Sequence, residues 1–427
     1  MQEFSDHPLR HDLAHELHAR PFPAIAYGSQ AALLALKTPS NAAARDRDAD
    51  RAHLITLLDR HGAQHPRPDA THFSGQIGRY QLKWEQHTEF VTYMVHGPGL
   101  SDRPFDPAIW DVFPEDWLAQ TTGLRVTSAH FRISDAVADD TEIPPALRNW
   151  FEPESLAVSR VLDDNAVLAS DFRIDPAGHM RFAIFPRPAT DQSRIGRIVQ
   201  RLAEIETYKT MAMLGFPRAR DLNARMAEID SGLSALLADM SGKQSAPEVQ
   251  LDRLLGYATD LENLMSRASF RFGATGAYEA IVQQRIEVLR EERFEGRQTF
   301  AEFMLRRFDP AMRTVKSTER RLQSMTDRAF RAGELLRTKV EVDRSAQNQA
   351  LLESMDRRAA LQLRLQETVE GLSVVAISYY AVNLLAYLLA PVGAAVGVEK
   401  PWIAAALVLP VVIGVALTTR RIRKTVH

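Results

Sequence analysis

The stretch that decides the fold lies near the C-terminus, at residues 371–398: GLSVVAISYYAVNLLAYLLAPVGAAVGV. It contains no charged residue. A second uncharged stretch, PWIAAALVLPVVIGVALTT at residues 401–419, follows after only Glu399 and Lys400. A helix of about 20 apolar residues crosses the hydrocarbon core of a bilayer. Both stretches reach that length, so the sequence predicts a transmembrane hairpin over residues 371–420.

Basic residues flank the hairpin on one side. Four of them directly follow the second stretch and three arginines precede the first, whereas the short connection holds one lysine. Short loops rich in Lys and Arg stay in the cytoplasm. The pattern predicts a two-span protein of the bacterial inner membrane, with both termini and the bulk of the chain in the cytoplasm. The lipid bilayer is then the first predicted partner.

Upstream of the hairpin, residues 1–190 show short strand patterns with helical patterns between them. The predicted strands cover residues 29–37, 75–83, 86–96 and 123–133, and a β-meander covers 156–185. About seven short strands with interleaved helices are typical of a mixed α/β sheet.

From residue 191 to 370 the pattern is helical, with apolar residues three and four positions apart. A loop is predicted at residues 272–276, where two glycines stand close together. No proline occurs between Pro310 and Pro391, which predicts a long stalk helix that packs as a coiled coil before it enters the membrane.

The predicted fold class is therefore α+β. An N-terminal mixed α/β sheet domain (1–190) precedes a helical and stalk region (191–370), the transmembrane hairpin (371–420) and a basic cytoplasmic tail (421–427).

The amino-acid composition excludes several kinds of catalytic and metal-binding site. The chain has no cysteine, which excludes disulfides, thiolate nucleophiles and Cys-ligated metal centres. Its formal net charge is −2, so no overall basic field attracts nucleic acid. The phosphate-binding and nucleophile motifs of common enzymes are absent, so the sequence favours a protein that is not an enzyme. It predicts no cofactor, although a divalent cation stays open.

One segment is dense in ionisable groups, Trp84-Glu85-Gln86-His87-Thr88-Glu89-Phe90. On a strand, Glu85, His87 and Glu89 would point to one face, because side chains alternate along a strand. Two carboxylates beside an imidazole could bind a cation or hold a proton. The alternative is a half-exposed strand whose polar face meets solvent.

Longer motifs carry a family resemblance. Five motifs are spread along nearly the whole chain. They are His7-Pro8-Leu9-Arg10 followed by Glu16-Leu17-His18-Ala19-Arg20-Pro21, the segment from Trp84 to Phe90, Asp171-Phe172-Arg173-Ile174, QNQALL at 347–352 and QLRLQETVEGLS at 362–373. Together they resemble an uncharacterised family, domain of unknown function 3422. The resemblance implies a membrane-anchored protein and brings no known activity.

The first two of these motifs suggest a contact. Ionisable groups are seldom buried without partners, so we expect the N-terminal motif to dock against the sheet. The candidate residues for a ligand site or an ion-pair network are His7, Arg10, Glu16, His18, Arg20, Glu85, His87 and Glu89. Both interpretations stay open.

The first span carries a polar stripe. Tyr380, Asn383 and Tyr387 recur at i, i+3 and i+7. Polar side chains inside a bilayer face other helices or water, so we expect this stripe to face a neighbouring helix or a symmetry axis. An ordinary helix-packing face with tyrosines near the interface is the alternative.

The architecture resembles that of CorA-type magnesium channels, which are pentamers whose first span lines the pore. Their Tyr-Gly-Met-Asn hallmark has a partial counterpart in Tyr380-Ala381-Val382-Asn383. The leading hypothesis is accordingly a homo-oligomeric membrane protein that conducts or senses a cation. A membrane-tethered binding or scaffold protein is the second hypothesis. The third is a metal-dependent enzyme that uses the face of Glu85, His87 and Glu89 together with His7, Glu16 or His18.

Overall fold

The structure is a computed structural model that describes residues 6–11, 14, 22–39, 44–121, 123–241, 245–396 and 399–426. These residues form two compact units. The first comprises the described residues up to Ser241 together with Asp252–Ala332, and it contains the sheet. The second comprises Ser245–Leu251 and the described residues from Gly333 onward, and it contains the apolar C-terminal helices.

Within the described residues, the first unit is built on one nine-stranded sheet of order β2-β3-β4-β1-β5-β8-β7-β6-β9. The strands are β1 (Ser29–Lys37), β2 (His72–Ile77), β3 (Tyr80–Gln86), β4 (Val91–Pro98), β5 (Leu124–Ile133), β6 (Ala157–Val161), β7 (Ala166–Ser170), β8 (Met180–Pro186) and β9 (Glu292–Arg293). Strands β5 and β8 are parallel, and the other neighbouring strands are antiparallel. The predicted α+β class with a mixed sheet is confirmed.

The helices follow the same order of elements as the sequence predicts. They are α1 (Arg47–Arg60), α2 (Glu115–Leu118), α3 (Ile143–Trp150), α4 (Gln192–Met213), α5 (Gly215–Ser241), α6 (Pro247–Leu289), α7 (Phe300–Arg307), α8 (Asp309–Val396) and α9 (Lys400–Val426). The proline-free stretch forms one continuous helix, α8.

Three predicted boundaries are wrong, and one of them belongs to the strand expected over residues 86–96, which begins only at Val91. The strand expected over residues 75–83 is two strands, β2 and β3, joined by a tight turn at Gly78, whose φ of +54° suits glycine. The loop expected at 272–276 is part of the continuous helix α6. Phe272 and Thr275 are buried there, and the Thr275 hydroxyl donates to the Ala212 carbonyl of α4. Tertiary packing thus outweighs the low helix propensity of the glycines.

Both faces of the sheet are covered. On one face, Leu33 and Met94 belong to a core that includes α4 and α6. On the other, Leu34, Trp84 and Tyr93 pack with α1. Alternate residues of the strands therefore enter opposite layers, which explains why β1 reads as an almost uninterrupted apolar run.

The ionisable segment Trp84 to Phe90 is not a single strand. Strand β3 ends at Gln86, which pairs with Val91 of β4. Between them the His87 amide donates to the Phe90 carbonyl at 2.9 Å and closes a turn. The expected alternation holds for Glu85 and His87. It is wrong for Glu89, because the chain reverses direction before that residue.

Candidate functional site

A pocket of about 360 Å³ lies between the sheet and two helices of the first unit. Strand β3 contributes Lys83 and Glu85, helix α4 contributes Arg201 and Glu204, and helix α6 contributes Arg285. The volume falls at the lower end of the range of small-molecule sites, roughly 300–1,000 Å³. Charged groups from three separate elements therefore converge on one concave space.

The polar side chains of the pocket form a connected chain. Lys83 Nζ lies 3.3 Å from Glu85 Oε2 and donates to Gln200 Oε1 at 3.1 Å. Gln200 in turn donates to Glu204 Oε1 at 2.9 Å, and Arg285 donates to the other oxygen of the same carboxylate. Each carboxylate thus has a cationic neighbour. This linkage fixes the wall between the sheet and α4.

Arg201 differs from the other cations of the pocket. Among the described residues, its guanidinium makes no hydrogen bond or ion pair. Burial lowers the pKa of Arg201, the positive charges of Arg197 and Arg285 lower it further, and Glu204 opposes them only in part. Arg201 therefore lines the pocket with a positive charge that no described acceptor matches.

His87 lines the pocket beside Glu85. Its ring stacks on Phe90 at 4.2 Å and meets the edge of Tyr208 at 6.1 Å, and its Nε2 lies 3.4 Å from Thr92 Oγ1. The structure thus brings Glu85 and His87 of the predicted set together at this pocket.

Glu89 belongs to a separate buried cluster. Its side chain is fully buried, and both of its oxygens accept from Arg271 of α6. The Tyr278 hydroxyl donates at 3.0 Å and Lys37 Nζ lies at 3.4 Å. Burial alone would raise the pKa of Glu89, but these donors and positive charges outweigh it and hold the pKa below its ordinary value. The cluster ties the turn between β3 and β4 to α6.

The opening motif is described only in part. His7 and Arg10 are exposed, and Arg10 pairs with Asp6. Glu16, His18 and Arg20 lie outside the described residues, so the docking of this motif against the sheet stays a prediction. Phe22, which follows the motif, lines the pocket.

Comparison with known proteins assigns the family. The model of the family described as protein of unknown function, DUF3422, matches residues 5–426. The chain belongs to the DUF3422 family. No curated protein and no solved structure matches the chain. The motif resemblance is confirmed over nearly its whole length, whereas the likeness to CorA-type channels stays a hypothesis.

The third family motif has a structural role in this DUF3422 chain. Asp171 is fully buried, lies 2.8 Å from Arg181 and accepts the backbone amide of Glu152 at 3.2 Å. Phe172 adopts a positive φ of 52° and stacks on Phe303. The buried carboxylate of Asp171 therefore closes the end of β7, while Arg173 of the same motif is exposed and donates to Ser155 Oγ at 3.0 Å.

Two buried histidines lie outside the pocket. His130 is 2% exposed and meets the edge of Phe105, and burial lowers its pKa to about 4. His179 stacks on Trp110 at 3.7 Å, and burial lowers its pKa to about 4 as well. Both imidazoles are neutral at pH 7 and belong to the packing of the sheet domain.

The second unit contains two helices that are long and apolar enough to cross a membrane, the C-terminal part of α8 and α9. On α8, Tyr380 and Tyr387 are 68% and 65% exposed. Asn383 donates its amide to the Tyr379 carbonyl of the same helix at 3.0 Å. This local bond satisfies one donor of the amide and weakens the argument that Asn383 needs a partner on another helix.

Reasoning from sequence missed the helical half of the pocket. Gln200, Glu204 and Tyr208 recur at i, i+4 and i+8 on α4 beside its apolar stripe. That polar line on a largely buried helix is a usable signal, because buried polar side chains need partners. Arg201 and Arg285 are ordinary surface residues by pattern. Within the described residues, no group of three or more His, Asp or Glu could hold a metal ion.

Proposed function

We propose that this DUF3422 protein is a membrane-anchored binding protein. Its sheet domain binds a small molecule in the pocket between β3, α4 and α6, and its two C-terminal helices hold that domain at the cytoplasmic face of the inner membrane. The observation that carries the proposal is the pocket itself, where polar groups from separate elements meet beside apolar walls.

The composition of the pocket wall supports binding. Leu33, Met94 and Val288 supply apolar surface, while Lys83 and Glu85 supply fixed donors and acceptors. Small-molecule sites combine an apolar lining with a few placed polar groups in this way. Lys83 is held by its hydrogen bond to Gln200 of α4 and lies beside Glu85, so these polar groups are preformed and little ordering is needed on binding.

The second unit supports anchoring. Two apolar helices follow one another with a short connection, and the second ends in a basic segment. A basic end favours the cytoplasmic side of the membrane.

A thermal-shift screen tests the binding role. The full chain, purified in detergent, is heated with a panel of anionic, neutral and cationic metabolites. The variant Val288→Trp adds bulk at the pocket wall, where the residue is 37% exposed, and Val249→Trp adds the same bulk on α6 outside the pocket. We expect ligands that raise the melting temperature of the wild type and of Val249→Trp but not that of Val288→Trp. Equal responses of both variants would contradict binding in this pocket.

A second candidate function is cation conduction or sensing by a homo-oligomer of CorA-like build. The 68% exposure of Tyr380 favours it, because this side chain is available to another copy of α8. The ring of Tyr387 instead has Lys400 Nζ 3.3 Å from its centroid. Polar contacts between membrane helices contribute about 0.6–2 kcal/mol each. In proteoliposomes, Mg²⁺ uptake that Asn383→Leu abolishes would support this function. An unchanged assembly and the absence of uptake in both proteins would leave the hairpin as an anchor.

A further inference from the structure

The described side chains of the pocket carry an excess of positive charge. Among the residues that the structure describes, Lys83, Arg201 and Arg285 line the pocket against the two carboxylates of Glu85 and Glu204. Glu85 lies beside Lys83, and Glu204 accepts from Arg285. These four charges balance one another, which leaves the charge of Arg201 in excess.

The surroundings of Arg201 increase this imbalance. Of the four charged groups that act most on its guanidinium, three are also arginines: Arg197, Arg285 and Arg290. Like charges at short range raise the free energy of the protein. A bound anion would remove this penalty.

Building on the binding role proposed above, we propose that the pocket binds a small organic acid whose carboxylate pairs with the guanidinium of Arg201. The planar guanidinium donates two parallel hydrogen bonds that match the two oxygens of a carboxylate. Leu33, Met94 and Val288 line the remaining wall, so the rest of the ligand is apolar. The single excess charge fits a monoanion.

The volume indicates how much of the acid the pocket can hold. A pocket of about 360 Å³ corresponds to roughly 12 water volumes of about 30 Å³ each. The part of the ligand inside the pocket is therefore compact, with about a dozen non-hydrogen atoms.

Three probes of similar size test the assignment. 3-Phenylpropionate carries the carboxylate, 3-phenylpropionamide replaces it with a neutral group of the same shape, and phenyl phosphate supplies the other common anion. Binding to the full chain in detergent is measured by isothermal titration calorimetry. Small probes of this size bind in the millimolar range. We expect the carboxylate to bind at least about tenfold more tightly than the amide.

Variants of the arginine make the test specific. Arg201→Gln should lose about tenfold or more in affinity for 3-phenylpropionate, and Arg201→Lys should keep part of it because a lysine offers one point charge. Arg225→Gln, which removes an exposed arginine of α5, should bind like the wild type. The melting temperature of ligand-free Arg201→Gln should equal or exceed that of the wild type, since the substitution removes charge repulsion. A structural arginine would instead lower it.

The outcomes separate this inference from the proposed function. If the amide binds as tightly as the carboxylate and Val288→Trp blocks both, the binding role stands and the carboxylate assignment is overturned. Tighter binding of phenyl phosphate would also overturn it. The absence of binding by all three probes, or unchanged binding by Arg201→Gln, would refute the role of Arg201.

Discussion

Glu89 offers the sharpest test of how the sheet domain is held together. The substitution Glu89→Gln keeps the shape of the side chain and removes its charge. In the wild type the carboxylate is fully buried and accepts from Arg271 and Tyr278, with Lys37 Nζ at 3.4 Å. After the change, two cations whose side chains are only 16% and 9% exposed lose their counter-ion.

The magnitude follows from these contacts. Each hydrogen bond to a charged group contributes about 1.5–3 kcal/mol, and the bidentate pair with Arg271 provides two of them. Glutamine keeps one acceptor oxygen, so part of the stabilisation from these hydrogen bonds is retained. Breaking a buried ion pair by removing one partner costs about 3–5 kcal/mol. We expect the free energy of unfolding to fall by about that amount.

Urea unfolding of the full chain in detergent measures this fall in the free energy of unfolding. Four of the five tryptophans lie in the first unit, so their fluorescence reports the unfolding of the sheet domain. Asp260→Asn is the matched control, because it removes the same type of charge from an exposed pair with Arg225, and such pairs contribute little. Adding Arg271→Met to Glu89→Gln should restore part of the loss. Equal effects of Glu89→Gln and Asp260→Asn would refute the reasoning.

Further predictions concern packing, pH and topology. Gly196→Ala would place a Cβ 1.6 Å from the Pro23 carbonyl oxygen, so we expect urea unfolding to show that the free energy of unfolding falls by about 3 kcal/mol or more. As the control, Gly256→Ala adds a Cβ that meets no atom within 4 Å and should stabilise α6 by about 0.5–1 kcal/mol. Burial lowers the pKa of His130 to about 4, so between about pH 6.5 and 4 the unfolded chain binds a proton that the folded chain does not. The free energy of unfolding therefore falls as the pH falls through that window. The contribution of this residue to that fall is up to about 3 kcal/mol. His130→Gln should flatten that acid dependence, and an unchanged slope would contradict it. The chain has no cysteine, so Glu399→Cys should react with a membrane-impermeant maleimide on intact cells and Arg421→Cys only after permeabilisation; the reverse pattern would overturn the predicted topology.

Elements with strong local signals could be predicted from the sequence. Strand β1 has the predicted bounds, Ser29–Lys37, because an apolar run buried on both sides has a clear pattern. Helix α8 could be predicted because no proline interrupts it before Pro391. In each case the deciding information lies in consecutive residues.

The turn after β3 could not be predicted, because its cause is distant in the sequence. It contains no glycine, proline, asparagine or aspartate, the usual turn residues. Arg45 holds it by donating to the carbonyls of His87, Thr88 and Phe90. Without that contact, the segment reads as a continuing strand.

The candidate site could be predicted only in part for the same reason. Glu85 and His87 stand out locally, because ionisable residues alternate there with aromatic ones. Arg201 and Arg285 reach the pocket from helices more than 100 residues away in sequence, and only the fold places them opposite β3. A single sequence carries no signal for such pairings.

The central claim, a membrane-anchored protein whose pocket holds a small organic acid, is tested most directly by an experimental structure of the full chain in lipid nanodiscs with 3-phenylpropionate. The account predicts two helices within the bilayer and the probe between β3 and α4, with both carboxylate oxygens about 2.8 Å from the guanidinium nitrogens of Arg201. A probe bound elsewhere would contradict the account. So would an Arg201 guanidinium already paired with a carboxylate of the chain itself.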